Sequence, residues 1–486
     1  MSERFRNLTI LHSNDLHGDF LAEHIDDKLV GGISRLSGYI NKVRDEIPHT
    51  LYCIAGDMLQ GSLIDTEFRG VSTIELMNLL GPDVVTLGNH EIDYGLAHLL
   101  FLERCAKFPI VNANLFIKNP YTRLFNGHKI IKINGMVVLF IGIITEEVMS
   151  GIKQDQLLST LVDIEDAANE VGAICNNYRT IDIDLTVLLT HIGFEEDKKL
   201  AALLDPQWGV DLIIGGHSHT ILEQPVTVND VLITTAGVGT DQIGHLDLVC
   251  DTDLNTIHEY KWKLVEINEE NCPKDEALES IIARYKSQTD QKYGRILCRF
   301  RHRLTHPDRY QETELGNLFA DALRDTLKID LMLLGSGSIR KTQLGPILTY
   351  GDLFECMPYD DKIYLVRVTG EQFKQMVKHF IEATKDGEHG EFYQLSHGFN
   401  ITYDTASQTF EKFNFNSAPL DDELPISIAI QAFHHKNFEQ FLGVKLADTP
   451  GGNGMVIATS MDDVLEEYFA IANRPFAEVE GRLIIK

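Results

Sequence analysis

Five short blocks in the first half of the chain carry side chains of the types that bind metal ions. Asp15 and His17 lie in SNDLHGD, Asp57 in GDMLQGS, Asn89 and His90 in GNHEID, His191 directly after LTVLLT, and His217 and His219 in GGHSH. Carboxylate and amide oxygens combined with imidazole nitrogens suit divalent manganese, zinc, cobalt or magnesium and do not separate them. A single D-x-H or H-x-H is a weak signal, because surface carboxylates and satisfied histidines are common. An ordered set supplied by five strand ends is harder to produce for structural reasons, since buried charges are costly unless paired or coordinated.

Such side chains act together only if the elements before them deliver them to one place. Each block follows a short apolar run: LTIL (8–11), LYCIA (51–55), VVTL (84–87), LTVLLT and VDLII. Runs of this length, rich in β-branched residues, read as buried strands, and VVLFIGII and VLITT continue the series. Helical periodicity between them, as from Ile33 to Val43, predicts strands covered by helices: an α/β layered domain with its chemistry at the carboxyl ends of strands. From Asp275 to about Ser287 the chain turns charged and helical in period, which reads as a connector. A second alternation of strands and helices follows, and there Phe373, Met376, Val377, Phe380 and Ile381 share one helical face as a core stripe.

The length of 486 residues calls for at least two domains. The expected division is a first domain over 1–265, a helical linker and hinge over 266–300, and a second, smaller α/β domain over 301–486. With 43 basic against 72 acidic residues the net charge is -29. That balance disfavours nucleic acid and anionic membranes as partners, whereas a small anion stays accessible because bound cations dominate the local field. MSERFRNLTILHSND has no apolar stretch after its charges, and no long apolar run follows, so neither a signal peptide nor a membrane span is expected. Seven scattered cysteines without a CxxC pair fit reduced thiols in a cytoplasm.

The ordered D-x-H, GD, GNHE, H and GHxH blocks resemble those of the calcineurin-like metallophosphoesterases over roughly the first 250 residues. The resemblance implies a layered β-sandwich flanked by helices. It also implies two divalent cations, one held by Asp15, His17 and His219, the other by Asn89, His191 and His217, with Asp57 bridging both. Two metals roughly 3.5–4 Å apart clamp a phosphoryl group and lower the pKa of a bound water. In the family the GNHE histidine, here His90, stabilises the transferring phosphoryl group or protonates the leaving oxygen, and an acid three residues on, here Asp93, orients it. A carboxylate partner fixes the imidazole tautomer and favours its cation; the plainer reading of Asp93 is a helix cap.

The second half resembles the 5′-nucleotidase carboxyl-terminal domain at RYQETELGNLFADALR (309–324), GSGSIR (335–340), YGDLFECMPYDDKIYLVRVTG (350–370) and GGNGM (451–455). Together the halves are similar to that two-domain family across nearly the whole chain. The resemblance implies that Arg309 and Arg340 grip the terminal phosphate through paired charge-assisted hydrogen bonds, the plainer alternative for each being a surface ion pair. It places Tyr359 where an aromatic stacks on the base, with Phe433 near its partner, although each also reads as a core residue. Three departures stand out: Gly335 replaces the usual Asn, Ser338 the usual Gly, and Asn453 a carboxylate that would contact ribose or base. The segment HHKNFEQFLGVKLADTP (434–450) is an insertion before the Gly pair. The expected activity is metal-dependent release of phosphate from nucleoside 5′-monophosphates, as in nucleotide catabolism, with the two domains closing about a hinge near 275–300. The alternatives are 2′,3′-cyclic nucleotides (with 3′-nucleotidase action), nucleoside di- or triphosphates, or nucleotide sugars at the same centre, and, in a different class, a catalytically silent nucleotide-binding protein.

Overall fold

The computed structural model describes residues 4–25, 28–117, 122–144, 158–160, 163–384 and 391–486. The chain divides into two compact units, residues 1–289 and 290–486.

Two six-stranded mixed sheets make the centre of the first unit. In one, strands Phe5–Ser13, Thr50–Ala55, Val84–Thr86 and Ile110–Val111 run parallel, and Gln242–Asp251 and Thr256–Glu266 extend the sheet antiparallel. In the other, Met136–Ile144, Leu185–His191, Leu212–Ile214 and Val231–Thr234 are parallel, with antiparallel edges. The period of two decides how the sheets meet. Leu8, Ile10, Leu51, Cys53, Met136, Val138, Phe140, Leu185, Val187 and Leu189 form one core between the sheets. The alternate residues face outward: Leu11, Tyr52 and Ile54 pack under the helix Ile33–Glu46, and Leu139, Ile141 and Leu188 under Ile164–Asn177 and Phe194–Leu203. With both faces covered, the strands read as nearly continuous apolar runs. Register also aims the chemistry, because His191 continues the 185, 187, 189 series and so faces the space between the sheets at their carboxyl ends.

The charged helical segment after the last of these strands is the helix Glu276–Tyr293. Leu278, Ile282 and Tyr285 on it are buried in the first unit's core, and Tyr285 and Arg284 both bond Glu75. The division between the units thus falls near its carboxyl end rather than at its start.

The second unit is built on a five-stranded mixed sheet in the order Tyr393–Leu395, Leu331–Gly335, Pro425–Gln431, Ile363–Thr369, Met455–Ala458. Helices Glu314–Leu327 and Met461–Ile471 cover one face. Helix Gly370–Thr384 covers the other with the stripe Phe373, Met376, Val377, Phe380 and Ile381, all buried. The insertion forms two short helices, Ala432–Lys436 and Phe438–Leu442, whose Phe438 and Leu442 enter that same core.

Candidate metal centre and nucleotide pocket

In the first unit the loops that follow the strand ends bring Asp15, His17, Asp57, Asn89, His90, His191, His217 and His219 together. Three sets of ligand atoms each lie within 4.8 Å of one another: Asp15, His17 and His219; His17, Asp57 and His90; Asp57, His191 and His217. Asn89 Oδ1 stands 3.3 Å from His191 Nε2 and 3.1 Å from His217 Nδ1. Asp57 belongs to two of the sets, the position a bridging carboxylate requires.

The backbone is bent to make this convergence. Asp15, His17, Asp57, His217 and His219 all have positive φ, between 49° and 80°, a region that non-glycine residues enter at a cost and that clusters at functional sites. Hydrogen bonds hold the bends: Asp15 N–H donates to the Gly56 carbonyl at 3.1 Å and His17 N–H to the Asp57 carbonyl at 2.9 Å. A β-carbon at Gly88 would overlap the Asp57 carboxylate, and one at Gly216 would press on His191, which explains the glycines of the GNHE and GGH blocks.

The donor set fits cations. His17 Nδ1 bonds the Gln60 carbonyl and His191 Nδ1 the Ala55 carbonyl, at 2.9 and 2.8 Å. A carbonyl only accepts, so both protons sit on Nδ1 and both Nε2 atoms present lone pairs to the basin. His17 Nε2 lies 3.2 Å from His219 Nε2, and His191 Nε2 lies 3.1 Å from Asp57 Oδ2. The His191 Nε2 lone pair thus faces a carboxylate oxygen, and two acceptors at that distance need positive charge between them. The titration of the bare site points the same way: burial opposes a charge on His191, yet its hydrogen bond to Asp57 and the charges of Asp57 and Asp15 lift the imidazole to about 9. Asp57, against its own burial, is drawn down to about 2 by His191 and by the His90 N–H.

His90 Nδ1 bonds Asp93 Oδ2 at 2.6 Å, and that bond, opposed by partial burial, raises the imidazole pKa. Its backbone N–H donates to Asp57 Oδ1 at 2.9 Å. Glu91, between the two, escaped the sequence reading. Its buried carboxylate accepts the backbone N–H groups of Asp57, Met58, Leu59 and Gly88 at 3.0, 2.7, 3.3 and 2.5 Å. It thereby ties the GD loop to the GNHE loop, while burial and the Asp57 charge push it up to about 7. The signal was present, since an acid next to ligand residues in an otherwise apolar setting must find donors.

In the second unit Arg309, Arg340, Tyr359 and Phe433 line one cavity of about 380 Å³ with Asp361, Glu391, Gln431 and His434. Both aromatics are exposed, Tyr359 at 47% and Phe433 at 55%, so their rings are available rather than packed in the core. The Arg340 guanidinium bonds the Tyr359 hydroxyl and lies 5.1 Å from the ring centroid. Arg309 makes an ion pair with Glu391 at 2.7 Å, and Glu391 also accepts the Gly337 N–H at 2.7 Å. Asn453 is not among the residues of this wall. It sits on an exposed turn whose carbonyl bonds His435 Nε2 at 2.7 Å, with the His435 ring stacked on Tyr364 at 3.8 Å. Asp361 stands inside the 350–370 block without having been singled out, and Glu391 and His434 had no motif to mark them.

Two family models match successive parts of the chain, the calcineurin-like phosphoesterase over residues 8–220 and the 5′-nucleotidase C-terminal domain over 288–443. The 5′-nucleotidase of Mus musculus is 28% identical over 448 residues, covering 82% of this chain and 75% of its own. The trifunctional nucleotide phosphoesterase protein YfkN of Bacillus subtilis is 27% identical over 443 residues, covering 82% of this chain and 29% of its own. Among solved structures, the 5′-nucleotidase precursor from Thermus thermophilus superposes with a TM-score of 0.66 at 22% identity, over 99% of both chains. Fold and site define a phosphoesterase of the hydrolase class with His/Asp clusters for metal. The chain belongs to the two-domain 5′-nucleotidase family.

Proposed function

We propose that the protein hydrolyses nucleoside 5′-monophosphates to nucleoside and inorganic phosphate. The observation that carries this reading is the convergence of Asp and His side chains on one basin, with Asp57 shared between sets. Two divalent cations held there, one by Asp15, His17 and His219 and the other by Asn89, His191 and His217, would neutralise phosphoryl charge and make hydroxide available near neutral pH. His90, whose imidazolium form the Asp93 bond favours, stabilises developing charge or gives its proton to the departing ester oxygen. Arg340, and Arg309 once released from Glu391, hold phosphate oxygens, and the exposed rings of Tyr359 and Phe433 take the base between them. The hinge expected within residues 275–300 belongs to this proposal, as does a cytoplasmic setting, which the seven free cysteines favour. No described helix is long and apolar enough to cross a membrane.

A second reading keeps the centre and changes the ester: cyclic nucleotides, nucleoside di- or triphosphates or nucleotide sugars. The departures at Gly335, Ser338 and Asn453 from the residues usual in the family keep it beside the first, since the scissile phosphorus would occupy the same centre in every one of these esters. The experiment is phosphate release from a panel of all these esters by metal-stripped protein resupplied with manganese, zinc, cobalt or magnesium, beside Asp57→Ala. Metal-dependent release strongest from 5′-monophosphates and lost in the variant supports the first reading. A different preferred ester supports the second, and no turnover with any metal leaves a silent binder.

A further inference from the structure

Gly335 and His434 occupy each other's space. Gly335 ends the strand Leu331–Gly335 with φ -57°, a conformation open to any residue, yet a β-carbon there would overlap His434 Nε2. The glycine is therefore needed for room rather than for backbone freedom. The insertion after Phe433 supplies the ring that fills this room. It is nearly fully buried and held edge-on by Tyr393, Phe433 and Phe441, with centroids 5.0 to 5.4 Å away, and it forms part of the cavity wall.

The hydrogen bonding assigns the tautomer. His434 Nδ1 lies 2.8 Å from the buried Tyr393 hydroxyl, and burial drives the Tyr393 pKa well up and the His434 pKa down to about 4, so the phenol keeps its proton and the imidazole is neutral. That hydroxyl has no other hydrogen bond among the described residues, and a buried O–H needs an acceptor. It donates to Nδ1, so the ring proton sits on Nε2, which makes no hydrogen bond among the described residues. Asp361 also lines the cavity; burial raises its pKa, and the hydrogen bond from the Phe433 backbone N–H opposes that shift and favours the carboxylate. Gln431, the remaining amide, is engaged at both ends, accepting from Gly335 N–H and donating to Ser338 Oγ.

We propose that Asp361 and His434 read the edge of the base, the carboxylate accepting from an exocyclic amino group and His434 Nε2–H donating to the neighbouring ring nitrogen. This rests on the nucleotide reading of the site and narrows it to nucleotides of adenine and cytosine, whose amino group stands beside an unprotonated ring nitrogen. Adenine and cytosine present donor beside acceptor on that edge; hypoxanthine and uracil present the reverse, an oxygen beside an N–H, which sets acceptor against acceptor and donor against donor. A site with fixed partners discriminates against the reversed pattern because its own groups are left unpaired.

The test is kcat/KM for AMP, IMP, CMP, UMP and base-free ribose 5-phosphate with wild type, Asp361→Asn, His434→Phe and Gly335→Ala. Wild type should favour AMP over IMP and CMP over UMP by about tenfold or more. Each variant should lower both ratios toward one, with Gly335→Ala reproducing His434→Phe because the added methyl displaces the ring. Equal wild-type rates for amino and oxo bases, or ratios that survive all three substitutions, overturn the proposal. So does a uniform loss across the five substrates, which would show that the residues only hold the fold. Wild-type release from ribose 5-phosphate with none from any nucleotide would instead overturn the nucleotide reading, and this inference with it.

Discussion

The basin of the first unit and the cavity of the second are built on opposite principles. In the basin, most ligand residues sit on bent backbone or at a strand end, the carboxylates are buried, and backbone N–H groups pin the loops through Glu91. In the cavity, the rings of Tyr359 and Phe433 are half exposed, and Arg309 is held by an ion pair that a ligand can exchange. The difference teaches where each kind of work belongs. Charge-dense chemistry needs ligand positions fixed to a fraction of an ångström before anything binds, whereas a π-face accepts many bases and tolerates movement.

The sharpest way to break this contrast is to remove the shared carboxylate. Asp57→Ala should lower phosphate release by about 10⁴-fold or more, while nucleotide affinity measured by calorimetry changes little; a parallel loss of binding would mean the two regions are not separable. His90→Ala should cost about 10²- to 10⁴-fold in kcat. Asp93→Asn should cost less and act through pH. The Asp93 bond raises the His90 pKa, and a proton donor works below its pKa, so the alkaline fall in kcat should begin at lower pH in the variant. Tyr359→Ala should raise KM for nucleotides by roughly 10- to 100-fold, as the loss of about 1–3 kcal/mol of stacking predicts, with kcat nearly unchanged; a fall in kcat like that of His90→Ala would place the ring in the rigid class.

Two smaller effects concern stability. Above the Glu91 pKa of about 7, Glu91→Gln removes charge-assisted bonds to four backbone N–H groups and should destabilise the metal-free first unit by about 1.5–3 kcal/mol, read as one shifted unfolding transition with the second unit's in place. His12 is fully buried on Trp262, with neither ring nitrogen partnered among the described residues, and burial depresses it from 6.5 to about 3. The unfolded chain therefore takes up the proton first, and stability falls as pH drops from 6.5 toward 3. His12→Leu should flatten that slope in urea midpoints measured across the range.

How much of each region was legible follows from the same contrast. The ligands of the basin could be read because each stands within a few residues of a strand end, and strand periodicity is a property of chain neighbours. Glu91 could have been read with them. Phe433 could not be assigned, since an aromatic after an apolar run suits a core or a pocket equally, and the exposure that separates them is a tertiary quantity. The helix Glu276–Tyr293 looked like a connector because its composition is charged, yet Leu278, Ile282 and Tyr285 lie on one side of it, and that spacing already predicted a docked face.

By itself the sequence determined which residue types stand at which strand ends, and so the class of chemistry, because side-chain alternation and turn-forming glycines act over a few residues. His191 faces the space between the sheets for that reason alone. Only the tertiary structure decided which atoms meet. It set His17 Nε2 opposite His219 Nε2 across 202 residues of chain, bound Glu91 to the GD loop, left Asn453 outside the pocket wall and brought His434 against Gly335. Those pairings depend on sheet order, burial and the filling of space between segments far apart in the chain, which no local pattern encodes.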